Sequence, residues 1–174
     1  EKFLQDIEND KVISLISDAG TPLISDPGQF IVKKARERNL KVIPIPGPSA
    51  VIAAMSVSGF EDKFYFFGFL SKKQSMRTKE FKDLSQINSS IVLYIPARDL
   101  KKTLEEFLTY FPEKEILIAR EISKIHESYI IGFPDQILQK LDKCLLKGEI
   151  TIVISNKISK NRDKSGINLQ DEIK

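Results

Sequence analysis

The segment from Ser17 to Gly28 has the residue types of a ligand-binding loop. It holds two glycines, two prolines and two aspartates, and it follows residues 12–16, a β-branched run that predicts a buried strand. Ligands of open α/β sheets bind at the carboxyl ends of strands, and glycine lets the backbone come close to them. Asp18 or Asp26 could then contact a cation or a hydroxyl group. The same residues are typical of an ordinary turn, so the pattern alone leaves both interpretations open.

Cysteine and histidine are too scarce for several other kinds of site. Cys144 is the single cysteine, which excludes an internal disulfide and a two-thiol metal site and predicts a reducing compartment and no metal. We expect it to pack on the apolar side of a helix. His126 is the single histidine, and its ordinary pKa makes it a general-base candidate. A lone histidine beside a strand is, however, more often a surface or core residue.

The composition is that of a globular protein with one domain or two small ones. The chain has 174 residues, of which 41% are hydrophobic and 29% charged, so a core can form and disorder is excluded for most of the chain. The net charge of +3 permits a nucleic-acid partner without requiring one. The sequence shows neither a long apolar run nor a signal peptide, which predicts a soluble cytoplasmic protein without a membrane segment.

The first sixty residues predict part of a parallel α/β domain. Residues 12–16 and 41–45 are the predicted strands, and residues 30–37 form a helix between them. A second, tightly packed helix begins near Ser49 and ends at Gly59. Because a two-stranded parallel sheet is not stable alone, we expect further strands before this segment.

From about Glu61 the pattern predicts a second, mixed α/β domain. The predicted strands are residues 64–69, 91–95, 115–119, 127–132 and 149–155, and the predicted helices are residues 72–84, 100–110 and 134–146. Polar residues then predict a mobile basic tail. The predicted boundaries are residues 1–60 for the first domain, 61–156 for the second and 157–174 for the tail.

Several motifs resemble, in the same order, those of one protein family. Residues 17–28, Ser-Asp-Ala-Gly-Thr-Pro-Leu-Ile-Ser-Asp-Pro-Gly, look like the signature loop of the RNA-modifying branch of the tetrapyrrole methylase superfamily. The resemblance is to the bacterial small-subunit ribosomal RNA cytidine 2′-O-methyltransferases. It continues through Pro44–Ala50, through Gly68–Leu70 with the basic helix that follows, and through Ala119–Lys124. In all it covers residues 12–155.

This resemblance implies a two-domain, usually homodimeric methyltransferase. S-adenosylmethionine would lie between a parallel N-terminal α/β domain and a mixed C-terminal α/β domain, and the substrate would be ribosomal RNA or the small ribosomal subunit. The sulfonium and ammonium groups of this cofactor favour carboxylates and carbonyl oxygens, and its adenine favours an apolar slot. The resemblance assigns cofactor binding to Ser17, Asp18, Ala19, Gly20, Thr21, Pro22, Pro48, Ser49, Ala50, Tyr94 and Glu149.

The implied reaction requires a ribose 2′-hydroxyl to be held in line with a methyl group and to lose its proton. Glu121 and Lys124 lie three residues apart, and one of them is the best available proton acceptor or hydroxyl orienter. Arg120 could hold a phosphate. Alternatively, these three side chains pair with one another at the end of a strand.

RNA recognition is assigned to the basic helix beside the aromatic run. Its cations would neutralise phosphates, and exposed aromatic rings could stack on unpaired bases. The alternative is a solvated helix face, and we expect Phe64 and Phe66 to be buried in a strand. The residues assigned to RNA are Lys72, Lys73, Arg77, Lys79 and Lys82.

Two features depart from the family pattern. The strand, the Pro-Thr-Pro-Ile-Gly-Asn-Leu type loop and the Glu-Asp-Thr-Arg type segment that open the family do not occur in this sequence. The resemblance therefore implies a fragment whose catalysis is weak or absent. Residues 94–98, Tyr-Ile-Pro-Ala-Arg, stand where the family has a Tyr-Glu-Ser-Pro-His-Arg type segment, so the substrate contacts there stay open.

Two other functions compete with this one. A precorrin-type tetrapyrrole methyltransferase would favour a Gly-Asp-Pro type turn where this chain has Gly20-Thr21-Pro22. A non-catalytic RNA-binding module would keep the basic helix but would not bind S-adenosylmethionine. Affinity for that cofactor separates the binding module from the two enzymes.

Overall fold

The computed structural model describes residue 5, residues 12–141 and residues 147–158, together with the backbone of residues 167–168. These residues divide into two units, Glu1–Ser49 and Ala50–Lys174. Cys144 and most of the predicted basic tail lie outside the described residues. No helix in the described part of the chain combines the length and the apolar character needed to cross a bilayer.

Over residues 12–49 the first unit has one regular helix, α1 (Gln29–Glu37), which confirms the helix predicted there. The strands predicted over residues 12–16 and 41–45 were wrong, because neither run forms strand pairing. A strand requires a neighbour for its backbone hydrogen bonds, and every described strand belongs to the second unit. The apolar side chains of both runs are exposed as a result, Val12 to 96% and Ile43 to 63%.

The second unit is built on a six-stranded mixed sheet. The strands are β1 (Phe64–Phe69), β2 (Ser90–Pro96), β3 (Lys114–Arg120), β4 (Ser128–Gly132), β5 (Glu149–Ile158) and β6 (Ile167–Asn168). Their order is β1-β2-β5-β3-β4-β6, in which β1 and β2 are parallel and the other neighbours antiparallel. The five strands predicted after Glu61 are confirmed. β5 extends into the stretch predicted as a tail, and β6 lies within that stretch.

In the described part of this unit, four helices and one 3-10 turn accompany the sheet. They are α2 (Ala50–Ser58), α3 (Gln74–Ser85), the turn Ala97–Asp99, α4 (Leu100–Tyr110) and α5 (Pro134–Gln139). α4 has the predicted bounds, and α2 ends before Gly59 as predicted. The last helix was predicted to reach residue 146. α5 ends at Gln139, and residues 142–146 lie outside the described residues.

The sheet has two unequally covered faces. On one face Ile91, Leu93 and Ile95 of β2 join the larger core cluster, which α3, α4 and α5 cover. On the other face Val92 packs with Val51 and Ala54 of α2. This alternation along β2 follows from the two-residue period of a strand. Because α2 packs on this sheet, it lies in the second unit, although the predicted boundary placed it in the first.

A buried ion pair joins α3 to α4. Arg77 is 6% exposed, and its Nη2 lies 2.6 Å from Oε2 of Glu106. The guanidinium also donates to Thr103 Oγ1 at 2.8 Å and lies over the ring of Phe81. The RNA contact predicted for Arg77 is therefore corrected: Arg77 is directed into the protein, because Glu106 and Thr103 on α4 satisfy its donors.

Candidate functional site

The loop from Ser17 to Pro22 turns back on itself. The hydroxyl of Ser17 donates to the carbonyl oxygens of Ala19, at 3.2 Å, and Gly20, at 3.0 Å. Gly20 has a φ of 72°, in the left-handed region that favours glycine. Asp18 and Ala19 are exposed at the turn. The loop thus presents a carboxylate to the surroundings on a backbone that its own hydrogen bonds hold in place.

This loop contacts Pro48, which belongs to the other segment of the first unit that was assigned to cofactor binding. Thr21 Oγ1 donates to the carbonyl oxygen of Pro48 at 3.4 Å, across 27 residues of sequence. A Cβ atom on Gly20 would lie 3.6 Å from the same oxygen, so the two backbones are close. The structure therefore brings together two segments that were predicted to share a ligand. Ser49 and Ala50 follow directly, where α2 begins.

Backbone strain marks both predicted site segments. Among the described residues five non-glycine residues have a positive φ, and four of these lie in the loop that follows Pro22 or in the segment after β3. These four are Leu23, Ser25, Glu121 and Ser123. Such conformations cost about 1–3 kcal/mol each and cluster at functional sites. These positive φ angles were not predicted from the sequence, because leucine and glutamate have no preference for the left-handed region.

Two of the residues predicted to be catalytic, Glu121 and Lys124, belong to an ion-pair network at the end of β3. Lys124 Nζ lies 3.0 Å from Glu121 Oε1 and 2.8 Å from Glu149 Oε2. The backbone amide of Glu149 donates to Glu121 Oε1 at 2.8 Å. The network joins the segment after β3 to the beginning of β5. Glu121 and Lys124 thus pair with each other, and Glu149 lies in the same cluster, whereas Arg120 donates to backbone carbonyl oxygens instead.

These contacts fix the charges of the cluster. The hydrogen bond from the Glu149 amide, followed by that from Lys124, lowers the pKa of Glu121. The hydrogen bonds to Glu149 and Glu121 raise the pKa of Lys124. Near neutral pH Glu121 is thus a carboxylate of reduced basicity, and Lys124 is an ammonium without a lone pair to offer. Neither group suits the acceptance of a proton from a weak acid.

Arg120 and His126 brace the same segment. Arg120 Nε donates to the carbonyl oxygen of Lys147 at 2.8 Å, and its Nη1 donates to that of His126 at 3.0 Å. His126 is exposed, in agreement with the interpretation as a surface residue. Its contact with Arg120 runs through the backbone and not through the ring. Arg120 therefore holds two chain segments in register instead of projecting alone into solution.

Replacing Gly148 with alanine should displace Glu121 from its hydrogen bonds to Lys124 and to the Glu149 amide. Gly148 has a φ of 94°, and a Cβ atom there would lie 2.6 Å from the carboxyl carbon of Glu121. A left-handed alanine costs about 1–2 kcal/mol, and expulsion of Glu121 from its hydrogen bonds should add about 1 kcal/mol. Urea unfolding monitored by circular dichroism would measure the loss of stability.

Gly59→Ala is the matched control for that substitution. Gly59 also has a positive φ, 66°, but a Cβ atom there would meet nothing within 4 Å beyond its chain neighbours, so only the backbone cost applies. In a Glu121→Ala background Gly148→Ala should cost no more than this control. An equal cost of Gly148→Ala with and without the Glu121 carboxylate would contradict the steric argument.

The remaining predicted residues lie on β1 and β2 and in and before α3. β2 ends beside the charged cluster, because Pro96 pairs with Glu149 of β5. Tyr94 packs against Phe66 and Phe69, with ring centroids 5.0 and 5.3 Å away. Phe64 and Phe66 are partly buried against the smaller core cluster, as expected for a strand packed on a core. The cations that stay exposed along α3 and before it are Lys72, Lys73, Lys79 and Lys82. Nowhere in the described ranges do three or more histidine, cysteine or carboxylate side chains group as metal ligands do.

Comparison of the sequence with known families and proteins gives consistent matches. The model of the family described as Tetrapyrrole (Corrin/Porphyrin) Methylases matches residues 3–137. A Synechocystis relative named ribosomal RNA small subunit methyltransferase I is 38% identical over 100% of this chain and 63% of its own length. Relatives of the same name from Mesomycoplasma conjunctivae and Thermotoga maritima are 41% and 35% identical, over 88% and 90% of this chain and 63% and 71% of their own lengths. The chain thus spans less than two thirds of the first two relatives.

Comparison with solved structures confirms the predicted fold class. The methyltransferase CobJ matches with a TM-score of 0.64 over 88% of this chain and 68% of its own, at 14% identity. The cobalt precorrin-4 methyltransferase CbiF matches with a TM-score of 0.62 at 13% identity, over the same shares. A Thermus thermophilus uroporphyrin-III C-methyltransferase in complex with S-adenyl homocysteine matches with a TM-score of 0.52 over 77% of this chain and 62% of its own, at 14% identity. At these identities the likeness concerns the fold alone.

Proposed function

Because the chain belongs to the tetrapyrrole (corrin/porphyrin) methylase family, we propose that it acts in the methylation of a cytidine ribose 2′-hydroxyl in small-subunit ribosomal RNA, with S-adenosylmethionine as methyl donor. The observation that carries this proposal is the set of relatives named ribosomal RNA small subunit methyltransferase I, which are 31–41% identical over most of the chain. The matching structures of tetrapyrrole methyltransferases are only 13–14% identical. Sequence similarity thus favours RNA over a tetrapyrrole as substrate.

The paired loops of the first unit fit the methyl donor. S-adenosylmethionine supplies an electrophilic methyl group on a cationic sulfonium. Asp18 offers an exposed carboxylate, and the backbone around Gly20 leaves room for close approach of a ligand. The Thr21–Pro48 hydrogen bond keeps the two loops together. We assign cofactor binding to residues 17–22 with Pro48, while the contributions of Ser49, Ala50, Tyr94 and Glu149 stay predictions.

The charged cluster after β3 serves positioning in this proposal. Lys124 bridges Glu121 and Glu149, and the Glu149 amide donates to Glu121, so these contacts tie the strained segment after β3 to β5. Arg120 ties this segment to Lys147. An ordered segment is what in-line transfer to a hydroxyl needs, because small displacements of the reacting groups are costly in rate. We therefore call Arg120, Glu121 and Lys124 positioning residues.

RNA attraction is assigned to the exposed cations of the second unit. Lys72, Lys73, Lys79 and Lys82 are exposed, so they can meet phosphates without breaking internal ion pairs that the structure shows. Formation of a homodimer stays a prediction from the resemblance, and a cytoplasmic location stays a prediction from the sequence.

The proposed function is tested in two steps, with the Thermotoga maritima relative as a positive control for both assays. The purified 174-residue chain is first titrated with S-adenosylmethionine by calorimetry. It is then incubated with the radiolabelled methyl donor and either naked small-subunit RNA or assembled small subunits, and the labelled nucleoside is identified. Binding followed by a 2′-O-methylated cytidine is the expected result. Absence of cofactor binding where the relative binds would overturn the proposal, as would methylation of a tetrapyrrole in place of RNA.

A further inference from the structure

A cleft of about 320 Å³ lies at the carboxyl ends of the two parallel strands β1 and β2. The register places Phe69, the last residue of β1, opposite Tyr94 of β2. Ser71, in the cleft wall, is fixed because its amide and hydroxyl donate to Glu80 at 2.8 and 2.6 Å. Chain segments that lead into α3 and α4 complete the wall. All of these residues lie in the second unit.

The floor of this cleft offers an aromatic surface. Phe69 is 55% exposed although it is a large apolar residue. Tyr94 supports its ring from one side, with the ring planes inclined at 53° and the centroids 5.3 Å apart. An exposed, supported ring is suited to stacking on a planar ligand, and every nucleobase has a π-face for it.

The rim of the cleft is cationic. Four cations and one carboxylate, Asp99, line it, and one of the cations, Arg77, is neutralised by Glu106. The others are Lys72, Arg98 and Lys102. Lys102 is directed by a hydrogen bond from its Nζ to Gln74 Oε1 at 2.8 Å. Three positive charges around an aromatic floor match a ligand that combines a planar base with phosphates.

We propose that this cleft binds one nucleotide of single-stranded RNA, with the base on Phe69 and the flanking phosphates on Lys72, Arg98 and Lys102. The inference rests on the proposed function, since it names residues of the second unit that would bind the RNA substrate. The adenosine of the methyl donor fits this cleft less well, because that molecule carries a cationic sulfonium and no phosphate. An acidic peptide would satisfy the cations but would leave the aromatic floor without a matching planar group.

Anisotropy of a fluorescein-labelled cytidine hexanucleotide, titrated with the full chain, tests this inference. Phe69→Leu should weaken binding about tenfold or more, the usual loss for one stacked base. Arg98→Gln and Lys102→Gln should each weaken binding and reduce the slope of log Kd against log salt by about 0.7, since each removes one phosphate contact. Affinity for S-adenosylmethionine should not change in Arg98→Gln and Lys102→Gln.

The matched controls come from neighbouring exposed positions. Lys101→Gln removes a cation next to Lys102 on the same helix but outside the cleft, and Tyr65→Leu removes an exposed aromatic from β1. Both should leave hexanucleotide affinity unchanged. If Phe69→Leu lowers the melting temperature, Phe69→Tyr, which keeps a stacking ring, should restore affinity.

Several outcomes would overturn the inference. These are equal affinity of wild type and cleft variants for the hexanucleotide, loss of cofactor binding in place of RNA binding, and competition by polyglutamate but not by unlabelled RNA.

Failure of the proposed function is distinguished separately. A chain whose RNA affinity depends on Phe69 but which binds no S-adenosylmethionine keeps the cleft inference and loses the methyltransferase. If the wild-type chain methylates RNA and the cleft variants bind the hexanucleotide as tightly as the wild type, the methyltransferase proposal is kept and the cleft inference is lost.

Discussion

Glu106→Ala is expected to destabilise the second unit by about 3–5 kcal/mol, the usual cost of removing one partner of a buried ion pair. The two side chains are 7% and 14% exposed, for Arg77 and Glu106, so little solvent reaches the pair. Arg77 Nε lies 2.9 and 2.7 Å from the two carboxylate oxygens, which leaves several donors unsatisfied after the substitution. Thr103 accepts only one of them.

Urea unfolding of Glu106→Ala, with the midpoint and slope fitted together, measures this effect. Glu105→Ala is the matched control, since Glu105 is the exposed neighbour on α4, and it should change stability by no more than about 0.5 kcal/mol. The double substitution Arg77→Met with Glu106→Leu should recover most of the loss, because an apolar pair leaves no buried charge. Equal effects of Glu106→Ala and Glu105→Ala would contradict the argument.

The order of elements in the second unit could be predicted from the sequence because local and tertiary preferences agree there. Residues 91–95 and 115–119 are short β-branched runs between turn residues, and the sheet buries both. The same local signal failed at residues 12–16 and 41–45. A β-branched run states a preference, but strand formation also requires a hydrogen-bonding partner, and no periodicity within one run reveals whether the partner is present.

The segments of the candidate site were predicted from the sequence, but most of the side-chain contacts between them were not. The spacing of Glu121 and Lys124 suggested a contact, whereas Glu149 joins them from another strand, 25 residues beyond Lys124. The partner of Arg77 was missed for a related reason. A basic helix looks solvated in sequence. Only its packing against α4, where Arg77 meets Glu106, shows that one of its cations is buried. The cleft could not be predicted from the sequence, because Phe69 and Arg98 come together only through the parallel pairing of β1 and β2.

Gly20→Val is expected to lower affinity for S-adenosylmethionine at least tenfold. At a φ of 72° a β-branched residue is a strong outlier, and the left-handed region already costs ordinary residues about 1–2 kcal/mol. A difference of about 1.4 kcal/mol is tenfold in affinity. Valine would also place atoms near the carbonyl oxygen of Pro48, which lies 3.6 Å from the position of a Cβ atom. The loop would then leave the conformation that presents Asp18.

Calorimetric titration of a series at this position separates the backbone from the side chain. Asparagine tolerates the left-handed region, so Gly20→Asn should bind more tightly than Gly20→Val if conformation decides affinity. Gly59→Val carries the same strain at a φ of 66° outside both loops and should bind the cofactor like the wild type. Equal affinities across the Gly20 series would show that the loop conformation is irrelevant to the cofactor. Equal losses in Gly20→Val and Gly59→Val would instead assign the effect to general destabilisation, and the cofactor assignment of residues 17–22 would fall.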